Sequence, residues 1–171
     1  MKRLAVLRHA KSSWDDANLD DFDRPLNDRG WKAAQLMGRE LKHHAMRFDL
    51  VLASTAARVR ETIDGVQEQF DFAAPTKFDQ QIYLASKEML FGLIRDLADP
   101  VERPLLVGHN PGLERLLTLL TSDDDHGLRD RVTEKFPTCA FALIELPVRR
   151  WADVKPGNGR IAELILPKEL D

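Results

Sequence analysis

Two cation-capable side chains end an apolar run near the start of this chain. Leu4-Ala5-Val6-Leu7 gives way to Arg8-His9, then Ala10, Lys11, Ser12 and Ser13. Burying a guanidinium and an imidazole without partners is costly, so their place at the end of a buried strand points to an anion. Two further segments repeat the pattern. Arg58 falls in the first turn of a helix expected after a second strand, and His109 directly follows "LLVG" before an Asn-Pro helix start. A phosphoryl group spreads negative charge over three oxygens. Guanidinium forks match those oxygens, helix N-termini add N–H donors, and an imidazole is able to attack phosphorus in line. With two Arg and two His supplying positive charge, no metal or other cofactor is expected.

The elements that must position these groups alternate between strand and helix patterns. Leu4–Leu7 reads as a strand buried on both faces, and 49–54 as a second strand. Thr76–Phe78 is a weak third strand, Leu105–Val107 a fourth, and Ala140–Leu146 and Ile161–Leu166 are two late ones. A helix capped by Asn27 or Asp28 is predicted to run to about Arg47, with Ala34, Met37, Gly38, Leu41 and Ala45 as its buried stripe. Ser54 or Thr55 caps the next, carrying Val59, Ile63, Val66 and Phe70. Ser86 caps a third with Leu90, Leu93, Ile94 and Leu97 inward. Asn110 as N-cap and Pro111 at the first helical position open a fourth, ending near Leu120. The polar segment 11–27 reads as a loop, as does "SDDDHG" at 122–127. Pro156-Gly157-Asn158-Gly159 marks a turn. This alternation predicts an α/β fold with a mainly parallel sheet covered on both faces. In such sheets ligands gather at the carboxyl ends of the strands, where Arg8, His9, Arg58 and His109 all fall.

Composition narrows the partners. The 171 residues are 43% hydrophobic and 31% charged, enough for one core, and one domain spanning 1–171 is expected. A net charge of −3 argues against a general nucleic-acid binder, while 25 Lys and Arg still permit a local cationic pocket. The single cysteine, Cys139, forms no intrachain disulfide, which fits a reducing compartment. The four-residue apolar run after Met1-Lys2-Arg3 is too short for a signal peptide, and nothing approaches a membrane span. A cytoplasmic monomer with no membrane or nucleic-acid partner is the expectation.

The ordered set "LRHA", "STAARVRET" and "VGHNPG" resembles the histidine phosphatase superfamily, the phosphoglycerate mutase-like fold. Its short SixA-type phosphohistidine phosphatases are similar also in "DRPLNDRG" at 23–30, "IYLAS" at 82–86 and the late Trp151 with "KPGNGRI". The resemblance spans residue 4 to about 167. It implies a three-layer α/β/α sandwich around a six-stranded mixed sheet with one late strand antiparallel. It implies that His9 is the nucleophile and that Arg8, Arg58 and His109 form the phosphate pocket. The substrate implied is phosphohistidine on a signalling protein. The alternatives are a small-molecule phosphate ester, or a catalytically weak module that only binds phospho-ligands.

The chain departs from the superfamily pattern twice. Ala10 stands where glycine usually follows the Arg-His pair. Gln80 stands where a carboxylic general acid is expected, leaving Asp79 as the candidate, with Asp15 and Asp16 behind it. An acid matters greatly for an alkyl ester and less for a P–N bond to imidazole, whose nitrogen is readily protonated. Arg24, with Lys11, Ser12 and Ser13, is a candidate substrate contact from the first loop. His43-His44 reads as a helix C-terminal pair, and Asp123-Asp124-Asp125-His126 as a solvated loop. A cysteine phosphatase would need Arg at position 145, which is Glu145.

Overall fold

A computed structural model describes residues 1–122 and 126–170. The Asp123-Asp124-Asp125 part of the polar loop lies outside the described residues. Six strands form one sheet: β1 (Lys2–Arg8), β2 (Leu50–Ala53), β3 (Thr76–Phe78), β4 (Pro104–Gly108), β5 (Phe141–Leu146) and β6 (Arg160–Ile165). Their spatial order is β3-β2-β4-β1-β5-β6. The first four strands run parallel, β5 is antiparallel to β1, and β6 is antiparallel to β5. The one reversed strand expected from the resemblance is therefore β5.

Side-chain alternation along the central strands sorts the core into two layers. Ala5, Leu7, Val51, Ala53, Leu105 and Val107 face α1 (Asp28–His43) and α2 (Ala57–Gln67). Leu4, Val6, Leu52 and Leu106 face α3 (Lys87–Arg95), α4 (Gly112–Leu120) and α5 (Leu128–Glu134). The result is the three-layer sandwich. No helix among the described residues is long and apolar enough to cross a membrane.

The helix boundaries correct the sequence reading in four places. Asn27 caps α1 as expected, its side chain accepting from Gly30 N–H, but α1 ends at His43. There Ala45 adopts φ +53°, Met46 N–H donates to the Leu41 carbonyl and Ala45 N–H to that of Lys42. This is a Schellman closure made without the glycine that usually signals it. Ala45 is thus exposed rather than part of the stripe. Helix α2 starts after Ala56, with Ser54 Oγ accepting from Ala56 N–H at 3.2 Å, and stops before Phe70. Helix α3 likewise stops before Leu97; Leu90 and Ile94 are buried, while Leu93 and Leu97 are only partly so. Helix α4 begins at Gly112, one residue later than predicted, and the Asn110-Pro111 peptide is cis. Asn110 Oδ1 still accepts from Glu114 N–H, at 3.2 Å. The short α5 was not predicted: among its residues only Val132 is buried, too little for a readable stripe.

Candidate active site

Arg8, His9 and His109 stand at the carboxyl ends of the adjacent parallel strands β1 and β4, and Arg58 is the second residue of α2. They meet in one cavity of about 330 Å³, lined also by Lys11, Ser12, Trp14, Arg24, Leu84, Asn110 and Thr138. The convergence follows from parallel pairing: strands in register end together, so the chain leaves each at the same edge.

The turn after β1 is fixed from several sides. His9 N–H donates to the Gly108 carbonyl at 3.0 Å, and Cys139 N–H reaches the carbonyls of Arg8 and His9. Ala10 N–H donates to Thr62 Oγ1 at 2.9 Å, while Thr62 Oγ1 donates to the Arg58 carbonyl. Thr62 therefore ties the turn after β1 to the helix carrying Arg58. Ala10 is fully buried and is not among the residues with positive φ, so it takes glycine's place without backbone strain. Cys139 is buried and burial pushes its thiol up to about 12, a packing residue rather than a thiolate.

The two imidazoles lie 5.3 Å apart between ring centroids, tilted by 54°. His9 Nδ1 is 2.7 Å from the Ala10 carbonyl oxygen. A carbonyl only accepts, so Nδ1 carries the proton and neutral His9 keeps its lone pair on Nε2. His109 Nε2 bonds Ser54 Oγ at 2.8 Å, and its buried Nδ1 has no protein partner. Burial, chiefly, and the neighbouring Arg58, Arg8 and Arg24 hold His9 down at about 4. Burial, His9 and Arg58 bring His109 to about 3. Both rings are neutral at pH 7.

Among the arginines, Arg8 donates one terminal N–H to the Phe136 carbonyl at 3.2 Å, and its Nε is buried without a partner. Arg58 is 3% exposed. Its terminal nitrogens bond the Asp21 carbonyl oxygen at 2.7 Å and Asp21 Oδ2 at 3.0 Å, and its Nε is also unpartnered. Unfilled buried donors beside a cavity mark where acceptor oxygens belong.

Arg24 does line this cavity. It donates to Ser12 Oγ at 2.7 Å, and its Nε and second terminal nitrogen grip Asp21 Oδ1 at 3.2 and 3.1 Å. Asp79 does not. Its side chain accepts from Gln81 N–H at 2.9 Å, capping the 3-10 turn Gln80–Ile82, so the candidate acid is spent on structure. Asp15 and Asp16 are exposed and also absent from the lining.

Sequence reasoning missed Asp21. Its carboxylate bridges Arg24 and Arg58 and accepts from Tyr83 Oη, bonds that hold it at about 2 despite opposition from partial burial. The signal was available in "DFDR", an acidic residue three before Arg24, but five Asp crowd that loop and spacing does not choose among them.

Comparison with known proteins agrees with this geometry. The model of the histidine phosphatase superfamily, branch 1, matches residues 4–100. An uncharacterized protein of Mycobacterium tuberculosis is 34% identical over 164 residues, 95% of this chain and 100% of that one. A solved structure from Agrobacterium tumefaciens, proposed to be the phosphohistidine phosphatase SixA, superposes with a TM-score of 0.82 at 30% identity, covering 97% of this chain and 98% of that one. The protein histidine phosphatase SixA complexed with tungstate shares the fold, with a TM-score of 0.80 at 21% identity over 99% of both chains. With the family model reaching from the Arg8-His9 turn across α2 and the relatives matching nearly end to end, this chain belongs to the histidine phosphatase superfamily and is a phosphatase.

Proposed function

We propose that the chain is a phosphohistidine phosphatase working through a covalent phosphoryl group on His9, with no metal in the reaction. The observation that carries the reading is the hydrogen bond from His9 Nδ1 to the Ala10 carbonyl, which leaves Nε2 as a free lone pair beside three arginines. In the first step Nε2 attacks phosphorus while Arg8, Arg58 and His109 hold the equatorial oxygens. The P–N bond of the substrate breaks, its electron pair returning to the substrate imidazole, which takes a proton from solvent. In the second step water attacks phospho-His9. Inorganic phosphate leaves and His9 regains its lone pair.

Leaving-group chemistry favours phosphohistidine over an alkyl ester. No carboxylate is among the described residues lining the cavity. Asp21, bonded to Arg24 and Arg58 of the cavity wall, stays ionised at neutral pH and is a poor proton donor. An alkoxide leaving group needs such a donor, worth ~10²–10⁴-fold, whereas an imidazole does not. The similarity to a protein proposed as SixA points the same way.

Trapping tests the mechanism. A histidine-phosphorylated protein labelled on phosphorus should transfer acid-labile, base-stable label to His9. His9→Ala should take up none, and His109→Ala should label slowly at His9. Label mapped to His109, or wild-type turnover by His9→Ala, would overturn the reading. Activity should survive excess EDTA; loss on chelation restored by a divalent ion would remove the metal-independent part.

A further inference from the structure

The fold treats its three tryptophans unequally. Trp151 is fully buried and Trp31 is packed against the α1–α2 layer, but Trp14 is 76% exposed. Yet Trp14 is held. Its ring lies over the Arg24 guanidinium, 3.5 Å from Cζ to the ring centroid, and Arg24 is itself buried and tied to Ser12 and Asp21. A planar cation under one ring face fixes the indole while leaving its apolar surface in water.

Leu84 lines the same cavity and is 56% exposed. Its φ is +51°, a left-handed backbone that a leucine side chain disfavours. Such strain persists where surrounding structure imposes it, and it clusters at ligand-binding sites. Two large apolar side chains are therefore displayed, one stacked and one strained, on a cavity whose buried members are Ser12, Arg24, Arg58, His9 and His109.

Resting on the phosphohistidine reading, we infer that Trp14 and Leu84 form an apolar collar that selects substrates whose phosphoryl group is carried on a flat ring. The phosphoryl group enters the cationic cavity, and the ring behind it meets the indole and the leucine. A flat apolar-faced ring gains from stacking and from shedding water there. A sugar or glycerol moiety brings hydroxyls that these side chains leave unpaired, at a cost in binding. The collar thus sets leaving-group specificity, while the histidines and arginines set the chemistry.

The test compares ringed and ringless substrates of matched bond type. For P–N bonds the pair is phosphoimidazole and phosphoramidate; for esters it is para-nitrophenyl phosphate and glycerol 3-phosphate. In Trp14→Ala the ringed-over-ringless ratio of kcat/KM should fall about tenfold in each pair, the scale of one lost aromatic contact with its buried area. Trp14→Phe should restore most of the ratio, and Leu84→Ala should lower it in the same direction. Inhibition by inorganic phosphate reports whether Arg24 still stands in place. If both members of each pair fall together and phosphate inhibition weakens with them, Trp14 merely holds Arg24 and the inference is overturned. An unchanged ratio overturns it equally. Failure of the phosphohistidine reading shows differently: wild type would prefer the esters, while the ring ratio within the ester pair would still fall in Trp14→Ala.

Discussion

At the scale of single residues, the site combines neutral imidazoles with a net cationic wall. Arg58 is the most buried of the cavity's arginines, being 3% exposed with two of its nitrogens occupied by Asp21. Arg58→Ala should cost on the order of 10²–10³-fold in kcat/KM, as for loss of one charge-stabilising donor. Steady-state kinetics on a variant with a native circular-dichroism spectrum checks it, and a near-normal value would remove Arg58 from the pocket. The histidines set the pH behaviour. His9 sits near 4 and His109 near 3 against an ordinary 6.5, so the folded state binds protons less readily than the unfolded chain. Stability tied to these rings is therefore complete above pH 6.5 and is lost progressively as pH falls toward 4 and then 3. Chemical denaturation between pH 7.5 and 4.5 should show the midpoint dropping in the wild type and a shallower drop in a His9→Gln, His109→Gln double variant. Equal slopes would mean that the rings are not held neutral by the fold.

At the scale of elements, the cavity depends on close backbone approach as much as on the side chains that line it. A Cβ on Gly112, the first residue of α4, would lie 2.1 Å from the Ala85 carbonyl oxygen. Glycine there lets α4 press against the segment that carries Leu84. Gly112→Ala must push that segment away, and overpacking of this kind costs about 1–3 kcal/mol. Urea denaturation should register the loss, and substrate KM should rise with it because Leu84 lines the cavity. By contrast Gly92 on α3 meets nothing within 4 Å, so Gly92→Ala should hold or raise stability by up to ~1 kcal/mol. A destabilised Gly92→Ala together with an unaffected Gly112→Ala would invert this ranking and refute the packing account.

At the scale of the whole molecule, charge is segregated. The chain carries −3 overall, yet its cavity gathers Arg8, Arg24, Arg58 and Lys11. A local field governs the approach of an anion within the ~10 Å Debye length of 0.1 M salt, where net charge counts for little. The kcat/KM for a dianionic small substrate should therefore fall as NaCl rises from low to physiological strength. A rise with salt would mean that the negative surface dominates.

Much of this arrangement was determined by local sequence. Apolar runs alternating with single amphipathic helices account for the parallel run of β1 to β4, because one helix returns the chain to the edge it left, whereas the two helices between β4 and β5 bring it back reversed. Parallel register then delivers Arg8, His9 and His109 to one edge, so their meeting was legible before any contact was seen. Where local signals are missing, sequence reading fails: the Schellman closure at Ala45 lacks a glycine, and α5 buries too little to show a stripe. The partners of polar groups were decided only by tertiary structure. Asp79 and Asp21 are the same residue type, both near candidate site segments in the sequence. One caps a turn on Gln81, and the other is locked between Arg24, Arg58 and Tyr83, 62 positions away from the last of these. The tautomer of His9 is set by where the Ala10 carbonyl points, and the exposure of Trp14 by the place to which Ser12 and Asp21 draw Arg24. Hydrogen bonds and stacking act over a few ångströms between atoms that the chain separates by tens of residues, so which ones form is known only once the fold has brought them together.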